Sequence, residues 1–75
     1  MKTINVNISS IGAVKDFVNI VNKYNFDMDL ISSRYVVDAK SIMGIFSLDL
    51  TKPITMNVHC DDCDSLLNEL KEFVC

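Results

Sequence analysis

The chain is poor in the residues that usually direct a functional interpretation. It has no tryptophan, two glycines, one proline and one histidine in 75 residues. A loop that cradles phosphate needs several glycines close together, so the isolated Gly12 and Gly44 exclude one. No apolar run approaches the ~20 residues of a membrane span, and the amino end lacks the apolar stretch of a signal peptide. These absences predict a cytoplasmic protein without a membrane partner.

Positive charge is also sparse and dispersed. The chain has seven basic and ten acidic residues, which gives a net charge of −3. Binding to a phosphate backbone needs a basic stripe, so we expect no direct contact with nucleic acid. Three cysteines are an odd number, which favours reduced thiols over a disulfide framework. No constellation of side chains indicates catalysis or a cofactor, so the sequence predicts a protein that is not an enzyme.

The size of the chain predicts a single domain over residues 1–75 with exposed apolar surface. Hydrophobic residues make up 49% of the sequence. A domain this small buries only about 60% of the surface of its unfolded chain. Some of the hydrophobic residues should therefore remain on the surface, where such patches usually mark sites of protein contact.

Apolar spacing predicts the order β-α-β-β-α-β-α. Short apolar segments, which alternate in the first and the fourth, predict four strands around Ile4–Ile8, Met28–Leu30, Tyr35–Val37 and Ile54–Val58, with a tight turn at Ser32-Ser33 between the second and third. Helical spacing predicts a first helix that Ser10 caps and that ends near Tyr24-Asn25. A short helix should run from Ser41 to about Leu48, and a last helix should follow a cap at Asp61 or Asp62.

The predicted elements combine most simply into an α+β fold with helices on one side of a four-stranded antiparallel sheet. The last helix should present five apolar residues on one face: Leu66, Leu67, Leu70, Phe73 and Val74. The predicted core consists of Ile4, Val6, Phe17, Val21, Met56, Val58, Leu66 and Leu70.

The run from Lys40 to Leu48, KSIMGIFSL, resembles the regulatory-serine segment of HPr, the small histidine-containing phosphocarrier of the bacterial phosphotransferase system. The resemblance covers almost the whole chain and is strongest from Asn22 to Leu48. It implies the HPr-like open-faced β-sandwich, with three helices on one face of the sheet. It also implies that Ser41 is the target of a serine kinase. The alternative is that Ser41 is a helix cap and nothing more.

From its position in the short helix, Ile45 should turn inward. The resemblance further implies that Ile42, Met43 and Phe46 form an exposed docking surface for partner proteins. The alternative is that all four residues belong to the core. The partners that the resemblance implies are a serine kinase, a transcriptional regulator or components of the phosphotransferase system. A phosphate on Ser41 would add nearly two negative charges beside an apolar patch, which a partner's arginine could bind.

The phosphocarrier segment of the family does not match. HPr proteins carry a Gly-x-His-x-Arg-Pro stretch before the first helix, and the corresponding residues here are Ser9-Ser10-Ile11-Gly12-Ala13. Ser10 takes the histidine position and Gly12 the arginine position. A serine hydroxyl is a poor nucleophile without a base, and its phosphate ester does not return the phosphoryl group readily. We therefore predict an HPr-like regulatory binding module without phosphoryl relay activity.

Two alternatives use other features of the sequence. His59, Cys60, Cys63 and Cys75 could form a thiol- or metal-dependent module, since Cys-x-x-Cys between a strand and a helix is typical of redox motifs. The intervening aspartates should raise the thiol pKa values, and Cys75 follows Cys63 by twelve residues, so both features oppose this reading. The other alternative is a ferredoxin-like ligand-binding domain, which would lack a short helix beginning at Ser41.

Overall fold

The computed structural model of the protein describes residues 1–32 and 35–74. The predicted element order is confirmed. In chain order the elements are β1 (Lys2–Val6), α1 (Ile11–Val21), β2 (Met28–Ser32), β3 (Tyr35–Asp38), α2 (Ile42–Phe46), β4 (Ile54–Val58) and α3 (Asp64–Glu69). Ser33, part of the predicted turn, lies outside the described residues. Among the described residues, no helix is long and apolar enough to cross a membrane.

The four strands form one antiparallel sheet in the order β1-β4-β2-β3. Because neighbouring strands are in register, aligned residues share a face of the sheet. One row faces the helices and consists of Ile4, Met56, Leu30 and Val37. The next row, on the open face, consists of Asn5, Thr55, Ile31 and Val36. The predicted α+β class, with an open sheet and three helices, is confirmed.

The core lies between the sheet and the helices. Seven of the eight predicted core residues are completely buried. The edge-to-face pair of Phe17 and Phe73, with ring centroids 5.7 Å apart, links α1 to the end of the chain. Ile4 is only partly buried. Ile4 was predicted to be a core residue, and its burial is less than predicted. The reason is that β1 is an edge strand, so one side of Ile4 has no neighbouring strand.

Two predicted helix boundaries are corrected. The first helix ends at Val21 instead of Tyr24-Asn25, because the amide groups of Lys23 and Tyr24 donate to carbonyls three residues back, at 3.2 Å. The cap of α3 is Cys63, which makes no side-chain capping bond. Neither predicted aspartate caps the helix, and Asp61 instead lies 3.6 Å from the amino group of Met1.

The last helix is also shorter than its apolar pattern predicts. After Glu69 the chain turns, and the amide of Phe73 donates to the carbonyl of Leu70 at 2.8 Å. The end of the chain then returns to β1, where Val74 forms a bridge with Val6. Phe73 is buried, whereas Val74 is exposed. Pairing with β1 satisfies backbone groups that a further helical turn would leave to solvent.

Candidate functional site

Ser41 is the N-cap of α2 and lies on the surface. Its hydroxyl oxygen accepts a hydrogen bond from the amide of Gly44 at 3.2 Å. Its carbonyl accepts from the amide of Ile45, and its own amide donates to the carbonyl of Asp38, both at 3.0 Å. The backbone therefore holds Ser41 in place while its hydroxyl remains accessible from solvent. Both predicted roles, cap and modification target, are compatible with this geometry.

The turn before α2 is fastened to the sheet. Ala39 is completely buried, and its amide donates to the carbonyl of Met28 at 2.9 Å. The amide of Lys40 donates to the carboxylate of Asp38 at 2.9 Å, which is the geometry of an Asx turn. These bonds fix the direction in which the chain enters α2. The position of Ser41 is thus set by β2 and β3.

Gly44 allows α2 to approach the sheet closely. A Cβ at this position would lie 3.3 Å from both Ser41 Oγ and Val37 Cβ. Sequence reasoning did not assign Gly44 a role, although a signal was present. Glycine costs about 1 kcal/mol relative to alanine inside a helix, so a glycine there indicates a packing constraint.

The apolar residues of α2 divide between the core and the surface. Ile45 is completely buried, which confirms that it turns inward. Met43 is 76% exposed and Phe46 is 40% exposed. Ile42 is partly buried and packs against the core. We refer to Met43, Phe46 and the exposed part of Ile42 as the α2 patch, and its role in binding stays a prediction.

The degenerate phosphocarrier segment lies at the start of α1. Ser10 is the N-cap, and its hydroxyl accepts a hydrogen bond from the amide of Ala13 at 3.1 Å, which confirms the predicted cap. Nothing lies within 4 Å of where a Cβ of Gly12 would be. Ser10 stands where the family pattern has histidine, so no imidazole is present there. Gly12 stands where the pattern has arginine, so no cation is present there either. This end of α1 therefore lacks both of the side chains that the family pattern places there.

His59 lies at the opposite end of the sheet from Ser10. It follows β4, whose last residue pairs with the first residue of β1, whereas Ser10 follows the end of β1. Its Nε2 is 2.7 Å from a carboxylate oxygen of Asp29. Five strand residues separate the two ends, or about 14 Å along β1. His59 is therefore in no position to replace the missing phosphocarrier histidine.

The cysteine alternative gains no support from the described residues. Cys60 Sγ is hydrogen-bonded to the carbonyl of Asp62 at 3.1 Å. Cys63 is buried, and burial, followed by the nearby Cys60, raises the pKa of its thiol. Within residues 1–32 and 35–74, no group of three or more His, Cys, Asp or Glu side chains could hold a metal ion. Cys75 lies outside the described residues.

A polar network that sequence reasoning missed joins the turn after α1 to α3 and to Lys40. The hydroxyl of Tyr24 donates to one carboxylate oxygen of Glu69, and Lys23 pairs with the other at 2.9 Å. The ammonium group of Lys40 donates to the carbonyl of Tyr24 at 2.6 Å. The Tyr24 hydrogen bond, followed by the Lys23 contact, lowers the pKa of Glu69. The same hydrogen bond raises the pKa of Tyr24. No periodic pattern could have revealed these contacts between distant polar residues.

Comparison with known proteins gives one consistent family. A family model described as "PTS HPr component phosphorylation site" matches residues 5–75. Among solved structures, a phosphocarrier protein HPr from Bacillus anthracis is 27% identical, with a TM-score of 0.73 over 99% of this chain and 94% of that one. HPr-C-His from Thermoanaerobacter tengcongensis is 24% identical, with a TM-score of 0.80 over 96% and 89% of the two chains.

A histidine-containing phosphocarrier protein of Mycoplasma superposes with a TM-score of 0.76 at 15% identity, over 95% of this chain and 89% of that one. At such low identity, as with HPr-C-His, the likeness shows the fold alone. No curated protein sequence matches the chain significantly.

Proposed function

We propose that this chain, which belongs to the HPr family of the bacterial phosphotransferase system, is a regulatory protein-binding module without phosphoryl relay activity. The family is one of phosphocarriers, which contact other proteins of the phosphotransferase system. The observation that carries the proposal is the placement of an accessible serine, Ser41, beside an apolar surface that the free protein leaves exposed.

The α2 patch has the character of a binding surface. Met43 and Phe46 are large apolar side chains whose exposure costs free energy in the isolated protein. Covering them with a partner's apolar surface would recover that free energy, and aromatic anchors contribute strongly at such interfaces. Because Ile45 already fills the core position of α2, the exposed residues are not needed to hold the helix in place.

Phosphorylation would convert the α2 patch into a mixed apolar and anionic surface. A serine kinase would transfer the terminal phosphoryl group of a nucleoside triphosphate to Ser41 Oγ. The new O–P bond replaces the bond to the nucleoside diphosphate leaving group, and the hydroxyl proton is released. The phosphate adds about −1.5 to −2 charge at pH 7. A partner arginine can bind it with two charge-assisted hydrogen bonds while the patch supplies apolar contact.

The absence of relay activity follows from the chemistry at the start of α1. Reversible transfer needs a nucleophile whose phosphorylated form is a reactive donor, and Ser10 would form a stable ester. Replacing Ser10 by histidine should not restore transfer on its own, because Gly12 provides no positive charge beside it.

The relay proposal is tested with phosphoenolpyruvate and the general phosphotransferase enzyme, using a histidine-containing HPr as the positive control. We expect no acid-labile phosphate on the wild-type chain or on Ser10→His. Acid-labile labelling of either protein, on His59 or elsewhere, contradicts the proposal.

The binding proposal is tested by phosphorylation and by one matched pair of variants. A bacterial HPr serine kinase with ATP should give an acid-stable phosphate that is absent from Ser41→Ala. Phe46→Ala should weaken binding to this kinase by more than about 1 kcal/mol, or about fivefold. Tyr35→Ala is the control, because Tyr35 is an exposed aromatic residue on β3 outside the α2 patch. If the two variants lose equal binding affinity for the kinase, or if Phe46→Ala unfolds, the α2 patch is not the docking surface.

A further inference from the structure

Lys40, the residue immediately before Ser41, joins α2 to a distant part of the fold. Its ammonium group donates to the backbone carbonyl of Tyr24 at 2.6 Å, in a partly buried contact. The hydroxyl of the same tyrosine donates to Glu69 of α3, which Lys23 also contacts. One lysine therefore fastens the start of α2 to the junction of α1 and α3.

The carbonyl that Lys40 contacts belongs to the turn just beyond the end of α1. Tyr24 lies in the turn after α1, where carbonyl groups no longer meet amides of a following helical turn. The amides of Lys23 and Tyr24 donate across this turn at 3.2 Å, longer than the 3.0 Å bond from the amide of Asn22 to the carbonyl of Val18. A charge-assisted hydrogen bond from the Lys40 ammonium group to this carbonyl stabilises the turn. We expect the turn to open more often when Lys40 leaves it.

We propose that Lys40 exchanges acceptors when Ser41 is phosphorylated, leaving the carbonyl of Tyr24 for the phosphate and so releasing α2 from the α1–α3 junction. A phosphate dianion is a stronger acceptor for an ammonium group than a neutral carbonyl is. Lys40 is adjacent in the chain and has a flexible stem. The inference rests on the proposed function, because it assigns a structural consequence to phosphorylation of Ser41.

The other charged groups near the two ends of this contact favour the exchange. Lys23 is already paired with Glu69 at 2.9 Å. Asp38, whose carboxylate accepts from the amide of Lys40, adds negative charge on the Ser41 side. A phosphate there would raise the local negative charge further, and Lys40 is the adjacent cation that can balance it. Release of Lys40 leaves the Tyr24 hydroxyl and Glu69 in contact, so the rest of the core should be undisturbed.

Amide hydrogen exchange measured by NMR tests the proposal. Phosphoserine is placed at position 41 during synthesis by stop-codon suppression, so neither a kinase nor a partner is required. In the phosphorylated protein the amides of Lys23 and Tyr24 should exchange about tenfold faster, the scale of one lost hydrogen bond to a charged group. Lys40→Met should give the same increase without phosphate, and phosphate should then add nothing further.

Two variants separate the proposed exchange from a general loss of stability. Lys15→Met removes an exposed lysine of α1 itself and should leave both exchange rates unchanged. Lys40→Arg keeps a cation that can reach either acceptor and should behave as the wild type does, with and without phosphate. The proposal fails if phosphate leaves exchange at Lys23 and Tyr24 unchanged in the wild type, or accelerates it equally in Lys40→Met. A failed kinase assay would count against the proposed function but would not alter this result.

Discussion

Gly44→Ala is expected to destabilise the protein even though alanine is the better helix former. In an open site, the substitution would gain about 1 kcal/mol of helix propensity. Here the new methyl group would lie 3.3 Å from Val37 Cβ and 3.3 Å from Ser41 Oγ, a separation tighter than nine in ten Cβ contacts. Val37 belongs to the sheet and cannot move freely, so α2 would have to shift outward, and Ser41 would have to rotate as well.

Because the methyl group would meet both neighbours, relieving the two contacts together costs more than the propensity gain. Rotation of Ser41 breaks its capping bond to residue 44, and losing a serine cap costs about 1 kcal/mol. An outward shift of α2 loosens the contacts of Ile45, and overpacking typically costs 1–3 kcal/mol. After about 1 kcal/mol of propensity is subtracted, we expect a net destabilisation of about 1 kcal/mol. Urea unfolding followed by circular dichroism would measure it.

The other glycine of the chain provides the matched control. Gly12 also lies in a helix, but nothing is within 4 Å of its hypothetical Cβ. Gly12→Ala should therefore stabilise the protein, by about 0.5–1 kcal/mol. In a double-mutant cycle, Ser41→Ala should cost less in the Gly44→Ala background than alone, because the cap is already disturbed. If both alanine variants stabilise the protein equally, the close packing of α2 on β3 is refuted.

Two further predictions concern α3 and its contacts. Leu70→Ala should destabilise the domain by ~2–5 kcal/mol, since Leu70 is completely buried, and a loss under about 0.5 kcal/mol would show that it is not a core residue. The lowered pKa of Glu69 means that its contribution to stability is complete above the unfolded-state pKa, near 4.3, and is lost as the pH falls through the lower folded-state pKa. The difference in unfolding free energy between wild type and Glu69→Gln should accordingly shrink on acidification, and a constant difference would contradict the Tyr24 and Lys23 contacts.

The sheet and the position of α2 could be predicted because local patterns determine them. Apolar residues alternate with polar ones in β1 and β4, as expected for strands with one buried face, and Ser10 and Ser41 are each followed by an apolar helical repeat. These signals act over a few residues and do not depend on distant contacts. The inward direction of Ile45 followed from the same reasoning and is confirmed.

The features that could not be predicted depend on contacts between residues far apart in the chain. Glu69 meets Lys23 and Tyr24 across more than forty positions, and no spacing rule connects them. The end of α3 is similar, because the helical apolar pattern continues to Val74. The edge of β1 offers backbone pairing there, which overrides the helical preference of the last residues.

The structure also explains how the start of α1 can depart from the family pattern while α2 keeps its position. Ser10 stands at the start of α1, whereas Lys40, next to Ser41, contacts the turn beyond its other end. An 11-residue helix is about 16 Å long, and this length separates Ser10 from the turn that Lys40 contacts. The cap at Ser10 is a local bond to Ala13, and α2 depends on Ala39, Gly44 and Lys40. Replacing the histidine and arginine of the family pattern at the start of α1 therefore leaves the contacts that hold α2 in place unchanged.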